Sequence, residues 1–253
     1  MNIGVCIKAV YDYEIPADKF HLVNNRMFGE YKEVIGLYDE HAIEVALQLK
    51  SNIDAKLYAI SYGKAQQTPI LKKALSMSAD ELILIEASSD EPFKTAHNLT
   101  RIIKQYSIDL VILGRVSSDL EREAVPPLVA GMLGWVYLPY IVAISKDSLD
   151  NTFLCTQQLD DKNLILRISD NFVVSITDAP CNLPRIPNLK EIMKSKNKPI
   201  KIEPDDIIEQ SICSPEIQVR IPTYEYVNEM LPNENLSYTA KIILENLKKE
   251  HYL

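Results

Sequence analysis

The sequence predicts an α/β protein, a three-layer α/β/α sandwich built on a mostly parallel, Rossmann-like sheet. Short β-branched apolar runs alternate with helical patterns through the first two-thirds of the 253 residues. Such alternation makes βαβ units, whose parallel strands must be covered on both faces. The composition, 47% hydrophobic and 25% charged, suits a chain that buries a large core without disulfide or metal staples.

The elements follow in order. Ile3–Val10 (IGVCIKAV) reads as a buried first strand. In DKFHLVNNRMF, Asn24-Asn25 between apolar pairs suggests a small hairpin. DEHAIEVALQLK opens on two acids, which suit a helix N-terminus, and Ala42, Val45, Ala46 and Leu49 fall on one helical face. AKLYAISYG is a strand ended by Gly63. TPILKKALSMSA is helical, with Pro69 tolerated in its first turn and Ile70, Leu71, Ala74 and Leu75 facing inward. ELILIE is a strand, FKTAHNLTRIIKQY a helix with Ala96, Leu99, Ile103 and Tyr106 inside, and Ile108–Gly114 a strand. LVAGMLGW and YIVAI close the alternating part. From Asn151 onward TFLCTQQL, NLILRIS and NFVVSIT are strand-like without helices between them, an antiparallel addition or a return into the main sheet. PDDIIEQSICSPEIQVRIP reads as a turn or short helix and then an extended arm, before an amphipathic helix with Ala240, Ile243, Leu244 and Leu247 aligned.

Several classes of function are disfavoured. Cys6, Cys155, Cys181 and Cys213 form no CxxC pair, so free thiols in a reducing compartment, and a cytoplasmic protein, are expected. The first ten residues are apolar too briefly for a secretory signal, and no run approaches the length of a membrane span, so no membrane insertion is expected. A net charge of −8 argues against nucleic acid as the main partner. Glycine-rich phosphate loops, nucleophile elbows and metal-binding repeats are missing, and His21, His41, His97 and His251 are scattered. No catalytic or metal-ligating residue is assigned. In open parallel sheets ligands bind beyond the carboxyl ends of the strands, here after Val10, Ser61 and Leu113.

One segment fits neither a core strand nor a linker: NLPRIPNLKEIMKSKNKPIKI, residues 182–202, with three prolines, apolar anchors and clustered lysines. It resembles N-x-P-R-[YF]-x-x-L-x-x-I-M-x-[AS]-[KR]-[KN]-K-x-I of the electron transfer flavoprotein beta subunit family, supplying Asn182, Pro184, Arg185, Leu189, Ile192, Met193, Lys194, Ser195, Lys196, Lys198 and Ile200 in register. The likeness extends along the chain. YDEHAIEVALQLK, DLVILGRVSSD and Leu133-Gly134-Trp135 are similar to the family's corresponding stretches.

The resemblance implies a heterodimer with an electron transfer flavoprotein alpha subunit, which holds most of the FAD. Electrons come from a flavin dehydrogenase of the acyl-CoA dehydrogenase type, as in fatty acid oxidation. AMP, or a second FAD, would sit in the beta subunit. Carried over by position, the cofactor-facing residues are Ala9, Tyr13, Tyr38, Ser61, Gly63, Gly114, Arg115 and Asp119. Tyr13 and Tyr38 fall where the family places aromatics near the flavin. Leu189, Ile192, Met193 and Lys194 would meet the dehydrogenase, with Leu189 as the anchor and Lys194, Lys196 and Lys198 steering an acidic partner. The competing reading of the segment packs Leu189, Ile192 and Met193 on the chain's own core. Residues 1–210 are expected to form the α/β domain, recognition segment 182–202 included, and residues 211–253 an arm and helix against the partner subunit.

The nucleotide loop departs from its pattern, G-[KR]-Q-x-x-D-[GD]-D-x-x-Q-[TV]-[GP]. Val116 replaces the glutamine, Glu123-Ala124 the polar pair, and Val125-Pro126 supply neither hydroxyl nor proline N–H. Gly36 stands for an asparagine, Tyr62 for a small residue, and Asn171 for a proline. These changes weigh against AMP or a second FAD. They also keep a second class of function open, a non-redox paralogue that uses the fold as a binding or scaffold module.

Overall fold

A computed structural model describes residues 1–12, 14–16, 19, 21–23, 26–28, 32–147, 150, 152–208, 230–231 and 235–252, with backbone only at 21–23 and 26–28. The chain divides into two compact units. One comprises Met1–His21 and Phe28–Glu216, the other Leu22–Met27 and Ile217–Leu253.

The first unit is a three-layer α/β/α sandwich. Its strands, in chain order, are β1 (Asn2–Cys6), β2 (Ala9–Tyr11), β5 (Glu33–Ile35), β6 (Lys56–Gly63), β7 (Glu81–Glu86), β8 (Leu110–Gly114), β9 (Val136–Lys146), β10 (Phe153–Gln158), β11 (Asn163–Ile168), β12 (Phe172–Ile176) and β13 (Ile200–Glu203). Between them run helices α1 (Leu37–Lys50), α2 (Thr68–Ser76), α3 (Pro92–Gln105), α4 (Val125–Leu133) and α5 (Leu189–Ser195). Nine strands pair in the order β11-β10-β9-β12-β8-β1-β6-β7-β13. From β9 to β13 the pairing is parallel; β10 is antiparallel to both β9 and β11. Both readings of the late strands therefore hold. β10 and β11 are the antiparallel addition, and β12 returns into the sheet between β9 and β8.

The period-2 alternation of the central strands fills two cores. Val5, Leu57, Leu82, Ile112 and Val174 face α1 and α2, while Ile60, Ile83, Val111 and Val173 face α3 and α4. The predicted inner faces of α1 and α3 are buried, except that Tyr106 is the residue capping α3 and is only partly covered. Ile70 of α2 is half-buried.

The expected strand Ile3–Val10 is two. β1 ends at Cys6, and the chain leaves the sheet so that β2 pairs antiparallel with β5. The break coincides with Lys8, whose N–H and carbonyl are both taken by the turn entering α1. On either side of Asn24-Asn25, which lie outside the described residues, β3 (His21–Val23) pairs with β4 (Arg26–Phe28) in a two-stranded sheet. In the second unit helix α6 (Leu236–Lys249) starts on Asn235, whose side chain accepts from the N–H groups of Ser237 and Tyr238. Ile243, Leu244 and Leu247 are exposed on it. The expected arm before it falls mostly on 209–229, outside the described residues.

Phe172 is fully buried, with its ring centroid 5.5 Å from that of Phe153. Phe172→Ala should cost about 3–5 kcal/mol in urea unfolding, because the cavity forms where two strands meet a helix layer and cannot collapse.

Candidate functional site

The chain runs β1-β6-β7 to one side of β1 and then crosses to β8 on the other side. The carboxyl ends of β1 and β8 are thus the point where strand order reverses, the usual ligand position in such sheets. Asp39, in the first turn of α1, closes this point from within. Its Oδ2 accepts the Lys8 N–H at 2.8 Å, and its carboxylate also accepts from the Gly114 backbone. Gly36 N–H donates to the Lys8 carbonyl at 3.0 Å. A Cβ on Gly114 would lie 2.9 Å from the Asp39 nitrogen and run into the Asp39 carboxylate. Glycine is thus required here by the approach of α1, not by an open cradle. Burial pushes the Asp39 carboxyl up to about 7, against the two backbone hydrogen bonds and Lys8, which favour the charged form.

The predicted cofactor-facing residues gather unevenly. Ala9, Tyr38, Gly114, Arg115 and Asp119 lie around this junction, and Ser61 and Gly63 lie at the end of β6, which is paired with β1. Tyr13 is outside the described residues. The cations have internal partners: Lys8 Nζ meets Asp119 at 2.6 Å, and Arg115 Nε meets Glu123 at 2.7 Å. The Arg115 guanidinium also lies 5.8 Å from the Tyr38 ring and 5.5 Å from that of Tyr140. The Glu123 hydrogen bond, aided by its charge and despite some desolvation, holds Arg115 above its ordinary pKa. Ser61 Oγ is buried without a hydrogen-bond partner.

Tyr62 points to the α3 side, 9% exposed, and its hydroxyl donates to both Asp205 oxygens at 3.1 Å. Asn98 Nδ2 donates to the same carboxylate at 2.7 Å, and the Ser88 N–H and hydroxyl complete its shell. Partial burial works against ionisation of Asp205, but these donors outweigh it and keep the carboxyl below its ordinary range. The segment after β13 is thereby fastened across the end of β6.

The residues do not fit AMP or a second FAD in the manner the resemblance implies. The first turn of α4 has prolines at 126 and 127, so two of its positions offer no N–H. Arg115 and Lys8, two of the cations at the loop, already pair with carboxylates.

The segment 182–202 is held at both ends and exposed between them. Asn182 is fully buried: Oδ1 meets His41 Nδ1 at 2.7 Å and accepts from Ala179 N–H, while Nδ2 donates to the Val142 and Thr177 carbonyls. Arg185 pairs with buried Glu44 through Nε and a terminal nitrogen, each at 2.7 Å. Desolvation opposes the charge on Glu44, but Arg185 prevails and holds its carboxyl below the usual range. At the far end Lys198 Nζ donates to the Leu75 and Ala79 carbonyls at 2.9 and 2.6 Å. Burial lowers its pKa.

Lys198 is therefore not a steering charge; it caps carbonyls at the C-terminal end of α2. Lys194 and Lys196 are exposed as expected. The last residues of the segment become edge strand β13, paired with β7, although their sequence gave no strand signal. Helix α5 starts with a reciprocal cap between Asn188 and Glu191. Leu189 is 73% exposed, Met193 61% and Ile192 42%, which excludes the reading that packs them on this unit's core.

Lys8, Asp39, Tyr140 and Asp205 were missed as site residues. Asp39 was visible only as a helix-start acid, and Asp205 lies far along the chain from Tyr62.

These features define a class first: a Rossmann-like α/β protein with a buried carboxylate at its switch point and one short helix that displays apolar side chains. Comparison with known proteins gives the family. The electron transfer flavoprotein domain family matches residues 27–207, and the chain belongs to that family. It is similar to proteins named electron transfer flavoprotein subunit beta from Syntrophomonas wolfei (31% identical over 204 residues, 79% of this chain and 78% of that one), Bacillus subtilis (29% over 254 residues, 96% of each) and Clostridium acetobutylicum (26% over 265 residues, the whole of each). Among the described residues no helix is long and apolar enough to cross a membrane, and no group of His, Cys, Asp and Glu could hold a metal ion.

Asp39 yields a pH signature. An aspartate titrates near ~4 in the unfolded chain and near about 7 here. The folded state therefore holds the proton more tightly, and this contribution to stability is lost as pH rises through that window. Relative to Asp39→Asn, which cannot titrate, the wild type should lose roughly 1–4 kcal/mol between pH 4 and pH 7. Urea midpoints of the two proteins measured across that range check this.

Proposed function

We propose that this chain is the beta subunit of a heterodimeric electron transfer flavoprotein. It pairs with an alpha subunit that holds FAD and takes electrons from a flavin dehydrogenase of the acyl-CoA dehydrogenase type. The flavin supplies the redox chemistry; this chain supplies geometry, exclusion of water and a docking surface. Tyr38 and Tyr13 are its flavin-facing aromatics in this reading, with Tyr38 held beside the Arg115 guanidinium. The C-terminal arm and helix, 211–253, contact the alpha subunit.

The observation that carries the reading is the display of Leu189. The turn around it is fixed by Asn182 and Arg185 before and by Lys198 after, while Leu189 stays 73% exposed. A side chain presented on a pre-ordered turn loses little entropy on binding, and one leucine entering a pocket contributes about 2 kcal/mol. Exposed Lys194 and Lys196 flank it and favour an acidic partner surface.

Co-expression with an electron transfer flavoprotein alpha subunit should yield a yellow complex containing both chains, with flavin absorbance that an acyl-CoA dehydrogenase and its substrate bleach. A chain that purifies alone and colourless would instead support the scaffold reading.

Within the assembled complex, Leu189→Ala should leave the urea midpoint within about 0.5 kcal/mol of wild type and weaken dehydrogenase binding about 5- to 150-fold. Unchanged affinity for the dehydrogenase would remove Leu189 as the anchor.

A further inference from the structure

The loop that follows β8 contains its own anion. Arg115 opens it and Glu123 nearly ends it, and their side chains meet at 2.7 Å, so the loop closes on itself. Glu121 and Glu123 have φ of 47° and 49°, in the left-handed region that a glutamate enters only when its surroundings hold it there. The backbone at Glu121 is braced by its N–H donating to the Ser117 carbonyl at 3.0 Å. Lys8 reaches the middle of the same loop through Asp119. Two cations at this end of the sheet, Arg115 and Lys8, thus face carboxylates of the loop, and α4 behind it begins with Val125, Pro126 and Pro127.

We propose that Glu123 is a built-in substitute for a nucleotide phosphate, holding Arg115 and the loop in place so that this subunit keeps its site formed without AMP or a second FAD. A carboxylate and a phosphate present the same kind of acceptor to a guanidinium. An incoming phosphate must therefore displace Glu123 from Arg115 and then remain beside Glu121, Glu123 and Asp119, all of like charge. The helix behind offers little in return, because two prolines remove N–H donors from the first turn that would otherwise bind the anion. The inference concerns this loop alone, and its test does not depend on whether the chain pairs with an alpha subunit.

The experiment uses the purified full chain, alone or as the co-purified complex, with AMP and inorganic phosphate as probes. Wild type, Glu123→Gln and Glu121→Gln are compared by nucleotide release on acid denaturation and by thermal midpoint. The Arg115–Glu123 pair is 38% and 39% exposed, so its loss leaves the protein folded. Wild type should release no stoichiometric nucleotide, and its midpoint should stay within about 0.5 °C in about 10 mM of either probe. Glu123→Gln should gain a rise of about 2 °C or more under the same conditions, because only a state that binds the anion is stabilised by it. Glu121→Gln removes the same charge without touching Arg115 and should behave as wild type. One AMP per wild-type chain overturns the proposal, as does a Glu123→Gln protein that ignores both probes. Equal gains in the two variants would assign the effect to net charge and overturn it too.

Discussion

The carboxylate of Asp39 ties together the two strands between which the sheet reverses direction. It accepts from the backbone of Lys8 at the end of β1 and from Gly114 at the end of β8, while its own helix sits hard against Gly114. A buried carboxylate is costly unless its lone pairs are used; here backbone donors use them, and the charge of Lys8 nearby favours the ionised form. Three consequences follow from this one contact. β1 must end early and release β2, Gly114 must lack a side chain, and Tyr38 is set beside Arg115.

The same economy of anchors governs the docking segment. A chain of mixed prolines and lysines would sample many conformations in water, and ordering it on a partner would consume binding energy. Asn182 answers this with a fully satisfied buried amide, and Arg185 with a fork onto Glu44. Lys198 places its charge at the carbonyl end of α2, where the helix dipole favours it. The apolar residues between these anchors are left facing outward: α5 spans only Leu189–Ser195, and Leu189, Ile192 and Met193 on it are exposed.

At the far edge of the sheet β13 is held by charge as well as by its ladder. Glu81, 3% exposed, lies between Lys56 at 2.9 Å and Lys201 at 2.7 Å, and Lys201 also stands over the Tyr106 ring at 4.7 Å. Just beyond, Asp205 locks onto Tyr62, Ser88 and Asn98. The exit toward residue 209 is thus set by side chains from β6, β7 and α3 acting together.

What the sequence determined by itself was whatever repeats with a period or forms a long motif. The alternating apolar runs sufficed for the layered parallel sheet, because burial on both faces imposes continuous hydrophobic strands. The span from Asn182 to Ile200 sufficed for the family. Tertiary structure decided the rest. Lys198 reads as one more exposed lysine until α2 brings carbonyls to it, and β13 is a strand only because β7 offers an unpaired edge. Tyr62 reads as a pocket-filler, yet its direction is set by strand register and its partner lies 143 residues away. Glu123 reads as mere like charge in a loop; a left-handed backbone turns it into the partner of Arg115. Propensity and spacing describe neighbours along the chain, whereas these pairings join residues that meet only after the sheet has formed.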